Sequence, residues 1–293
     1  ALLPIVLFPL SGGLDLNTTT SAFGHKYIFL FMGGFIIAIA IEKWNLHKRI
    51  ALNIINLIGS DVKKIILGFM LATAFLSMWI SNTATAVMML PIGIAIITQL
   101  KDNPNTIEDE NQIFGKSLML AIAYSASIGG IATLIGTPPN LVLAGVVLDT
   151  YGYEITFLQW FMFGFPISML LLFICWKYLT SYAFKFKQKE FPGGKQEIKR
   201  LLKSLGKISF EEKIVALVFF TTAFFWITRS LLFDKLLPAL DDTIIAIVFS
   251  IVLFLIPSKN KKEKLMSWDD AVKLPWGILL LFGGGLALAQ GFT

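Results

Sequence analysis

Two stretches apolar and long enough to enter a lipid bilayer are each interrupted by polar, helix-breaking residues. Ser81-Asn82-Thr83 lies inside the uncharged run from Ile65 to Leu100, and Gly136-Thr137-Pro138-Pro139-Asn140 lies inside the run from Ser117 to Leu148. In hydrocarbon an unpartnered backbone N–H or C=O is costly, so irregular backbone at that depth persists only where protein surrounds it or it lines a cavity. The two interruptions are therefore candidate walls of one binding site. A chain built this way reads as a membrane transporter.

Composition excludes a soluble domain. The chain is 56% hydrophobic, with 26 Phe and only 15% charged residues among 293, and its mean hydropathy is +0.73. Several segments reach the roughly 20 apolar residues needed to span a bilayer. The net charge of +6 is not a nucleic-acid signature, because the basic residues are confined to particular loops. Cys175 is the single cysteine, so no disulfide can form within the chain. No signal or transit peptide is visible. Residue 1 is not Met, Ala1 to Leu10 reads as the tail of a span, and Leu279 to Thr293 stops within an apolar segment. The expectation is a portion of a larger membrane protein.

Charge-free segments run from Tyr27 to Ile41, Ile65 to Leu100, Ser117 to Leu148, Phe157 to Trp176, Ile214 to Thr228, Thr243 to Ser258 and Leu274 to Thr293. If Ile65–Leu100 leaves and returns on one face while the others cross once, loops 43–64, 101–116, 177–213 and 259–273 share a side. Those loops hold 5, 2, 10 and 5 Lys/Arg, or 22 of the 25, leaving Lys26, Arg229 and Lys235 opposite. A single crossing by Ile65–Leu100 would divide them 18 against 7. The positive-inside rule favours the first arrangement, with the Lys-rich loops cytoplasmic.

Charge does not separate a re-entrant hairpin from two complete spans. Ile65–Ile80 has 16 residues, about 24 Å as helix against a hydrocarbon core of roughly 30 Å, which favours two half-depth helices meeting at Ser81-Asn82-Thr83. Ser117–Leu148 reads as one crossing made from a broken helix, since proline removes a donor and clashes with the preceding turn. An internal repeat is also visible. Ile5-Val6-Leu7-Phe8 recurs as Ile251-Val252-Leu253-Phe254, and Leu30-Phe31-Met32-Gly33-Gly34 is echoed by Leu281-Phe282-Gly283-Gly284-Gly285, at offsets of 246 and 251. Under the charge-derived topology the two units run in opposite directions, as in many secondary transporters. The same offset puts a counterpart of Ser81 near position 330 (about 81 plus 250), beyond this chain.

Two amphipathic stretches flank these spans. Leu46, Ile50, Ile54, Leu57 and Ile58 form one apolar stripe; Ile198, Leu201, Leu202, Leu205 and Ile208 form another, opposite Lys199, Arg200, Lys203 and Lys207. Both suit helices in the cytoplasmic interface. The second also suits a linker helix docking on its own protein.

Within the apolar segments there is no Asp, Glu, Lys, Arg or His. A proton relay or an intramembrane metalloprotease would need some of them, and no H-E-x-x-H occurs. Hydroxyls, amides, carbonyls and helix ends remain: oxygens suit hard cations and helix N-termini suit anions. Such a site can hold Na⁺ and an anion together, each offsetting the other's charge. Ser77 and Ser81, four apart, would share one face of the first half-helix and converge with Asn82 on a small ion; Ser77 could instead back-bond to its own helix. Thr83 and Thr85 join that polar cluster, and Thr137 and Asn140 add polar groups at the second break. Ser125 and Ser127 read as small packing residues. His25 and His47 read as interfacial, and Arg229 as a snorkelling anchor or an anion-attracting group. Asn17-Thr18-Thr19 matches an N-glycosylation pattern that carries little weight.

The stretches Ser77-Met-Trp-Ile-Ser81-Asn82-Thr83-Ala-Thr-Ala and Ser127-Ile-Gly-Gly-Ile-Ala-Thr-Leu-Ile-Gly136-Thr137-Pro138-Pro139-Asn140 resemble the divalent anion/sodium symporters, and most closely the bacterial sodium-coupled dicarboxylate transporters. The resemblance covers most of the chain, including Leu30 to Phe35 and Pro275 to Ala289. It implies an all-α polytopic membrane protein, an inverted-repeat, elevator-type homodimer in the bacterial cytoplasmic membrane. It implies that Ser77, Ser81, Asn82 and the Gly136 carbonyl hold a sodium ion, while Asn82 and Thr83, with Thr137 nearby, meet a substrate carboxylate.

On the same footing, residues 1–60 would hold scaffold helices and an interfacial arm, and 61–155 transport-domain elements (hairpin 65–100, broken helix 117–148). Residues 156–240 would hold a membrane helix, an amphipathic linker and a scaffold helix, and 241–293 the start of the second repeat. The implied function is Na⁺-coupled symport of C4-dicarboxylates such as succinate, malate and fumarate, with no enzymatic chemistry and no nucleic-acid partner. A sodium-independent exchanger or a sulfate/phosphate carrier on the same fold is the alternative within transport, and a membrane-embedded enzyme or receptor component the rival outside it.

Overall fold

A computed structural model describes residues 1–59, 61–101, 108–186, 194–233, 236–259 and 263–292. The acidic 101–116 loop falls partly outside these residues, and Lys235 wholly so. Along the chain the helices are α1 (Leu3–Ser11), α2 (Leu16–Ser21), α3 (Lys26–Lys43), α4 (Leu46–Ile58), α5 (Val62–Ser77), α6 (Asn82–Lys101) and α7 (Glu108–Ile131), then α8 (Pro138–Tyr151), α9 (Phe157–Lys177), α10 (Gly194–Ser204), α11 (Phe210–Thr228), α12 (Asp242–Leu255), α13 (Trp268–Ala271) and α14 (Trp276–Gln290). Among the described residues there is no strand. The stretches Leu16–Lys43, Asn111–Ile131, Phe157–Ala183 and Phe210–Phe233 are long and apolar enough to cross a membrane; Asn82–Thr98, Asp242–Leu255 and Trp276–Gln290 are shorter apolar helices.

Helix starts follow local capping chemistry, in which a side-chain acceptor takes one of the free first-turn N–H groups. Asp61 accepts from the Lys64 N–H at 2.9 Å to open α5, and Asp241 accepts from the Thr243 N–H at 2.7 Å to open α12. His25, read from sequence as interfacial, caps α3 by accepting from the Tyr27 N–H at 3.2 Å. Asn45, in the left-handed region at φ 57°, makes the sharp turn from α3 into α4, a conformation Asn tolerates better than most residues.

The chain divides into two compact units interleaved along the sequence: residues 1–44, 137–162 and 210–293 form one, and residues 45–136 and 163–209 the other. In the first, α3 and α12 form the principal helix pair. The buried Ser250 hydroxyl lies 3.0 Å from the Gly33 carbonyl and 2.7 Å from that of Ala246, using the small residues and short polar contacts by which helices associate in lipid.

Each end of α3 carries an ion-pair cluster. At its start, Lys26 Nζ lies 3.0 Å from Asp241 and 3.3 Å from Glu154. Arg229 joins them at 3.3 Å from Glu154, 3.7 Å from Asp241 and 3.5 Å from Asp242. Arg229 is buried, with 7% of its surface exposed. It is therefore a paired member of a charged network, not the snorkelling anchor expected from sequence; a buried guanidinium needs such partners. At the other end, Lys43 Nζ lies 2.7 Å from Asp270 and 3.4 Å from Glu263. Lys26 and Arg229 thus share carboxylates at one end of α3, while Lys43 reaches the 259–273 loop at the other.

In the second unit, α5 packs against α4 and α7, α6 against α7, and α10 against both α4 and α6. The linker helix therefore docks on its own chain: Ile198 is buried, while Lys199, Arg200 and Lys203 are exposed. Arg49 on α4 donates to the Gly206 and Leu205 carbonyls at 3.2 and 3.4 Å, just past the end of α10. The buried face of α4 differs from the expected stripe. It comprises Leu46, His47, Ala51, Leu52 and Ile55, while Leu57 is 81% exposed. His47 is buried on that face.

Asp270 offers a test of the Lys43 cluster. Burial opposes its charge, but hydrogen bonds from Lys43 and from the Ser267 side chain and backbone outweigh this and hold the carboxyl at about 2. A depressed carboxyl adds stability above its unfolded value, near 3.8, and loses it as pH falls toward the folded one. The stability difference between the native protein and Asp270→Asn, measured by thermal unfolding in detergent, should be full at pH 5 and shrink steadily as pH is lowered from about 4 to about 2.

Candidate functional site

α5 ends at Ser77 and α6 begins at Asn82, so four residues make the first break. The Met78, Trp79 and Ile80 N–H groups fold back on the Ala74 and Leu76 carbonyls at 2.9 to 3.1 Å. Ser81 lies outside α5 and works for the next helix: its Oγ accepts from the Ala84 N–H at 3.3 Å. The expectation that Ser77 and Ser81 share a helical face is therefore not met, because the helix stops at Ser77. Convergence comes instead through Asn82.

Ser77 is fully buried. Its Oγ lies 2.7 Å from Asn82 Oδ1 and 2.5 Å from the Ala126 carbonyl of α7. One hydroxyl carries one proton and can donate to one of these acceptors at a time. The arrangement thus gathers three oxygens around a single hydrogen. Back-bonding of Ser77 along its own helix, the bland alternative from sequence, is replaced by contacts across the α5–α7 and α5–α6 junctions. Thr83 stands exposed in the first turn of α6, beside the half-buried Asn82, where free backbone N–H groups favour an anion.

The second break runs from the end of α7 at Ile131 to the start of α8 at Pro138. The chain tightens there through Ala132 N–H to the Gly129 carbonyl at 3.0 Å and Gly136 N–H to the Thr133 carbonyl at 3.3 Å. The two breaks are fastened to each other by the buried Thr133, whose hydroxyl donates to the Met78 carbonyl. Glycines let them approach. A Cβ on Gly130 would stand 2.5 Å from Asn82 Oδ1, and one on Gly136 would stand 2.5 Å from the Gly130 carbonyl oxygen. Both are closer than real Cβ contacts allow.

Gly136 belongs to the same compact unit as Ser77, Ser81, Asn82 and Thr83, whereas Thr137 belongs to the other unit. Thr137 is the N-cap of α8, extended at φ −149° and ψ 145°, and its side chain makes no capping bond. Pro138 and Pro139 follow, so the first two helical positions carry no N–H; the Asn140 N–H meets the Thr137 carbonyl at 3.2 Å. The start of α8 therefore presents few backbone donors, unlike the start of α6. Asn140, read from sequence as polar lining, is buried.

Sequence reasoning missed three contributors. The Ala126 carbonyl has no side-chain signature. Thr133 lies within the quoted Ser127–Asn140 stretch, flanked by Gly129-Gly130 and Gly136, yet its spacing did not reveal its partner. Gly130 matters only because Asn82 lies against it. Among the described residues no three His, Cys, Asp or Glu side chains come together to hold a metal ion, and the oxygens at the hairpin break are neutral. Two cavities of the first unit, of about 470 and 660 Å³, are lined by apolar groups such as Leu7, Phe8 and Leu288, and Leu143, Val146 and Ile278. They offer no polar recognition chemistry.

The family described as the sodium:sulfate symporter transmembrane region matches this chain from residue 1 to 293. The chain belongs to that family. The sodium-dependent dicarboxylate transporters SdcS of Staphylococcus aureus strains USA300, NCTC 8325 / PS 47 and COL are each 50% identical to it over 299 residues, covering 100% of this chain and 58% of the relative. The chain thus spans just over half the length of these curated relatives. Membership in a symporter transmembrane family, together with the long apolar helices, makes this an integral membrane protein.

The fastening of the two breaks is testable. Thr133→Val keeps the shape but leaves the Met78 carbonyl without its donor, and should lower stability by about 1 to 2 kcal/mol. Gly136→Ala forces the backbone away from Gly130 and should cost at least as much, about 1 to 3 kcal/mol. Thermal unfolding of purified, detergent-solubilised variants measures both.

Proposed function

We propose that this chain carries one half of the binding site of a Na⁺-coupled symporter for C4-dicarboxylates such as succinate, malate and fumarate. The observation that carries the reading is the trio of Ser77 Oγ, Asn82 Oδ1 and the Ala126 carbonyl oxygen, drawn together around one proton. Neutral oxygens of this kind suit a small hard cation once the shared proton turns away. The similarity to sodium-dependent dicarboxylate transporters supports both the cation and the anion class. Neither requires covalent chemistry.

In this reading Ser77, Ser81, Asn82 and the Gly136 carbonyl provide oxygens to Na⁺. Asn82 and Thr83 meet one substrate carboxylate at the amide-rich start of α6, with Thr137 contributing from the start of α8. Asn82 can serve both ligands, because its amide presents an acceptor oxygen on one side and an NH₂ donor on the other. The cation also supplies the positive charge that the hairpin break lacks. A dianion brought there alone would give up its hydration for dipoles only, so the two ligands bind together, and this is coupling.

The same reading places the Lys-rich loops 43–64, 177–213 and 259–273 in the cytoplasm of a bacterium. It takes Ile65–Leu100 as a re-entrant hairpin. Transport would proceed by an elevator-like motion of one part of a homodimeric protein against a static part. The name of the matching family keeps a sulfate carrier as the second reading.

Uptake into proteoliposomes containing the intact transporter separates these. Succinate uptake should require Na⁺ and disappear when choline replaces it, and excess sulfate should not compete. Asn82→Ala and Thr83→Ala should abolish uptake while inserting normally into the membrane. Undiminished transport by either variant would refute the site, and sulfate competition at concentrations near those of succinate would favour the second reading.

A further inference from the structure

Thr73 on α5 and Ser125 on α7 are each fully buried, and neither hydroxyl has a hydrogen-bond partner. A helical hydroxyl has a ready outlet, the carbonyl four residues earlier. This chain uses that outlet repeatedly: Thr19 donates to Asp15, Thr180 to Trp176, Thr222 to Val218 and Thr228 to Phe224, at 2.6 to 2.9 Å. Thr73 could reach the Phe69 carbonyl and Ser125 the Ala121 carbonyl in the same way, and neither does so. Leaving a buried hydroxyl unsatisfied is unfavourable, so two beside one helix junction call for a ligand.

Their placement indicates which ligand. Thr73 lies one helical turn before Ser77 on the same face of α5. Ser125 immediately precedes Ala126, whose carbonyl meets the Ser77 hydroxyl. Ser125 also lies one turn before Gly129, and a Cβ on Gly129 would overlap the Ala74 backbone. Both residues therefore lie along the α5–α7 seam, Thr73 one turn, about 5.4 Å of helix, before Ser77 and Ser125 directly before Ala126. A cation drawing on the lone pairs of these hydroxyls would turn each proton toward the carbonyl four residues back, the contact that neither makes without it. Buried Ser117, also without a partner, extends the same α7 face two turns further from Ser125.

We propose that Thr73 and Ser125 form an accessory oxygen site for the coupling cation, adjoining the Ser77–Asn82 cluster and taking a monovalent hard cation of the size of Na⁺. This goes further than the sodium-symport reading and rests on it. The accessory site holds the cation beside the primary cluster and so sets the concentration at which Na⁺ drives transport, without touching the dicarboxylate.

The test uses the intact transporter carrying Thr73→Val, Thr73→Ser or Ser125→Ala. In proteoliposomes the half-saturating Na⁺ concentration should rise at least about fivefold in Thr73→Val and Ser125→Ala and return toward the native value in Thr73→Ser, with succinate KM at saturating Na⁺ unchanged. In detergent, Thr73→Val should melt at or above the native temperature without Na⁺, because a costly buried hydroxyl has gone, and should gain less from added Na⁺. A native half-saturating Na⁺ concentration together with a native Na⁺-induced melting shift in both hydroxyl-deleting variants would overturn the proposal, leaving these groups with packing or a trapped water. If Thr73→Val does not fold, Ser125→Ala, which removes a single oxygen, decides by the same two readouts. Uptake by the native protein that ignores Na⁺ would instead strike at the parent reading, so the two failures are distinguishable.

Discussion

Breaks between buried apolar helices persist only if the backbone groups they free are satisfied nearby. Here the two breaks satisfy each other. The Thr133 hydroxyl, from the second, meets the Met78 carbonyl of the first, while Ser77, at the edge of the first, meets the Ala126 carbonyl just before the second. The glycines at 129, 130 and 136 make this possible, because any side chain there would hold the segments apart. The hairpin tip, its oxygen cluster and the exposed start of α6 all depend on this mutual satisfaction.

Charge is handled in the opposite way. Two ion-pair networks of the first unit lie at the two ends of α3, Arg229, Lys26, Glu154, Asp241 and Asp242 forming one and Lys43, Glu263 and Asp270 the other. Helix α3 has 18 residues, about 27 Å at 1.5 Å per residue, close to the thickness of a bilayer core. Fixed charge at the ends and neutral oxygens at the hairpin break are two consequences of one solvent. Ions are costly in lipid, and under the proposed function a ligand bound at the break brings its own counter-charge.

Much of this was legible in the residues. Apolar runs bounded by charge mark the membrane helices because a lipid environment leaves few alternatives to a helix. Polar triplets and paired prolines inside such runs mark the breaks for the same reason. Ser77, Asn82, Thr83 and Gly136 fall in one compact unit at those breaks, whereas Thr137 falls in the other. Lys26 and Arg229 share Glu154 and Asp241 at one end of α3, and Lys43 reaches Glu263 and Asp270 at the other. Family membership agrees with the resemblance carried by the Ser-Asn-Thr and Gly-Thr-Pro-Pro-Asn motifs.

Sequence by itself determined that this chain lives in a membrane, where its helices break and which side chains are polar at the breaks. These are local consequences of burying or hydrating each residue. Only the tertiary structure decided which of those groups meet. It moved Ser81 from the face of α5 to the cap of α6, turned Arg229 from an anchor into a buried ionic partner, and docked the basic linker helix on its own chain. It also brought in the Ala126 carbonyl and the Thr133 hydroxyl. Partners of this kind lie about 50 residues apart (126 against 77, 133 against 78), and a backbone carbonyl is the same chemical group in every residue, so no local pattern announces it.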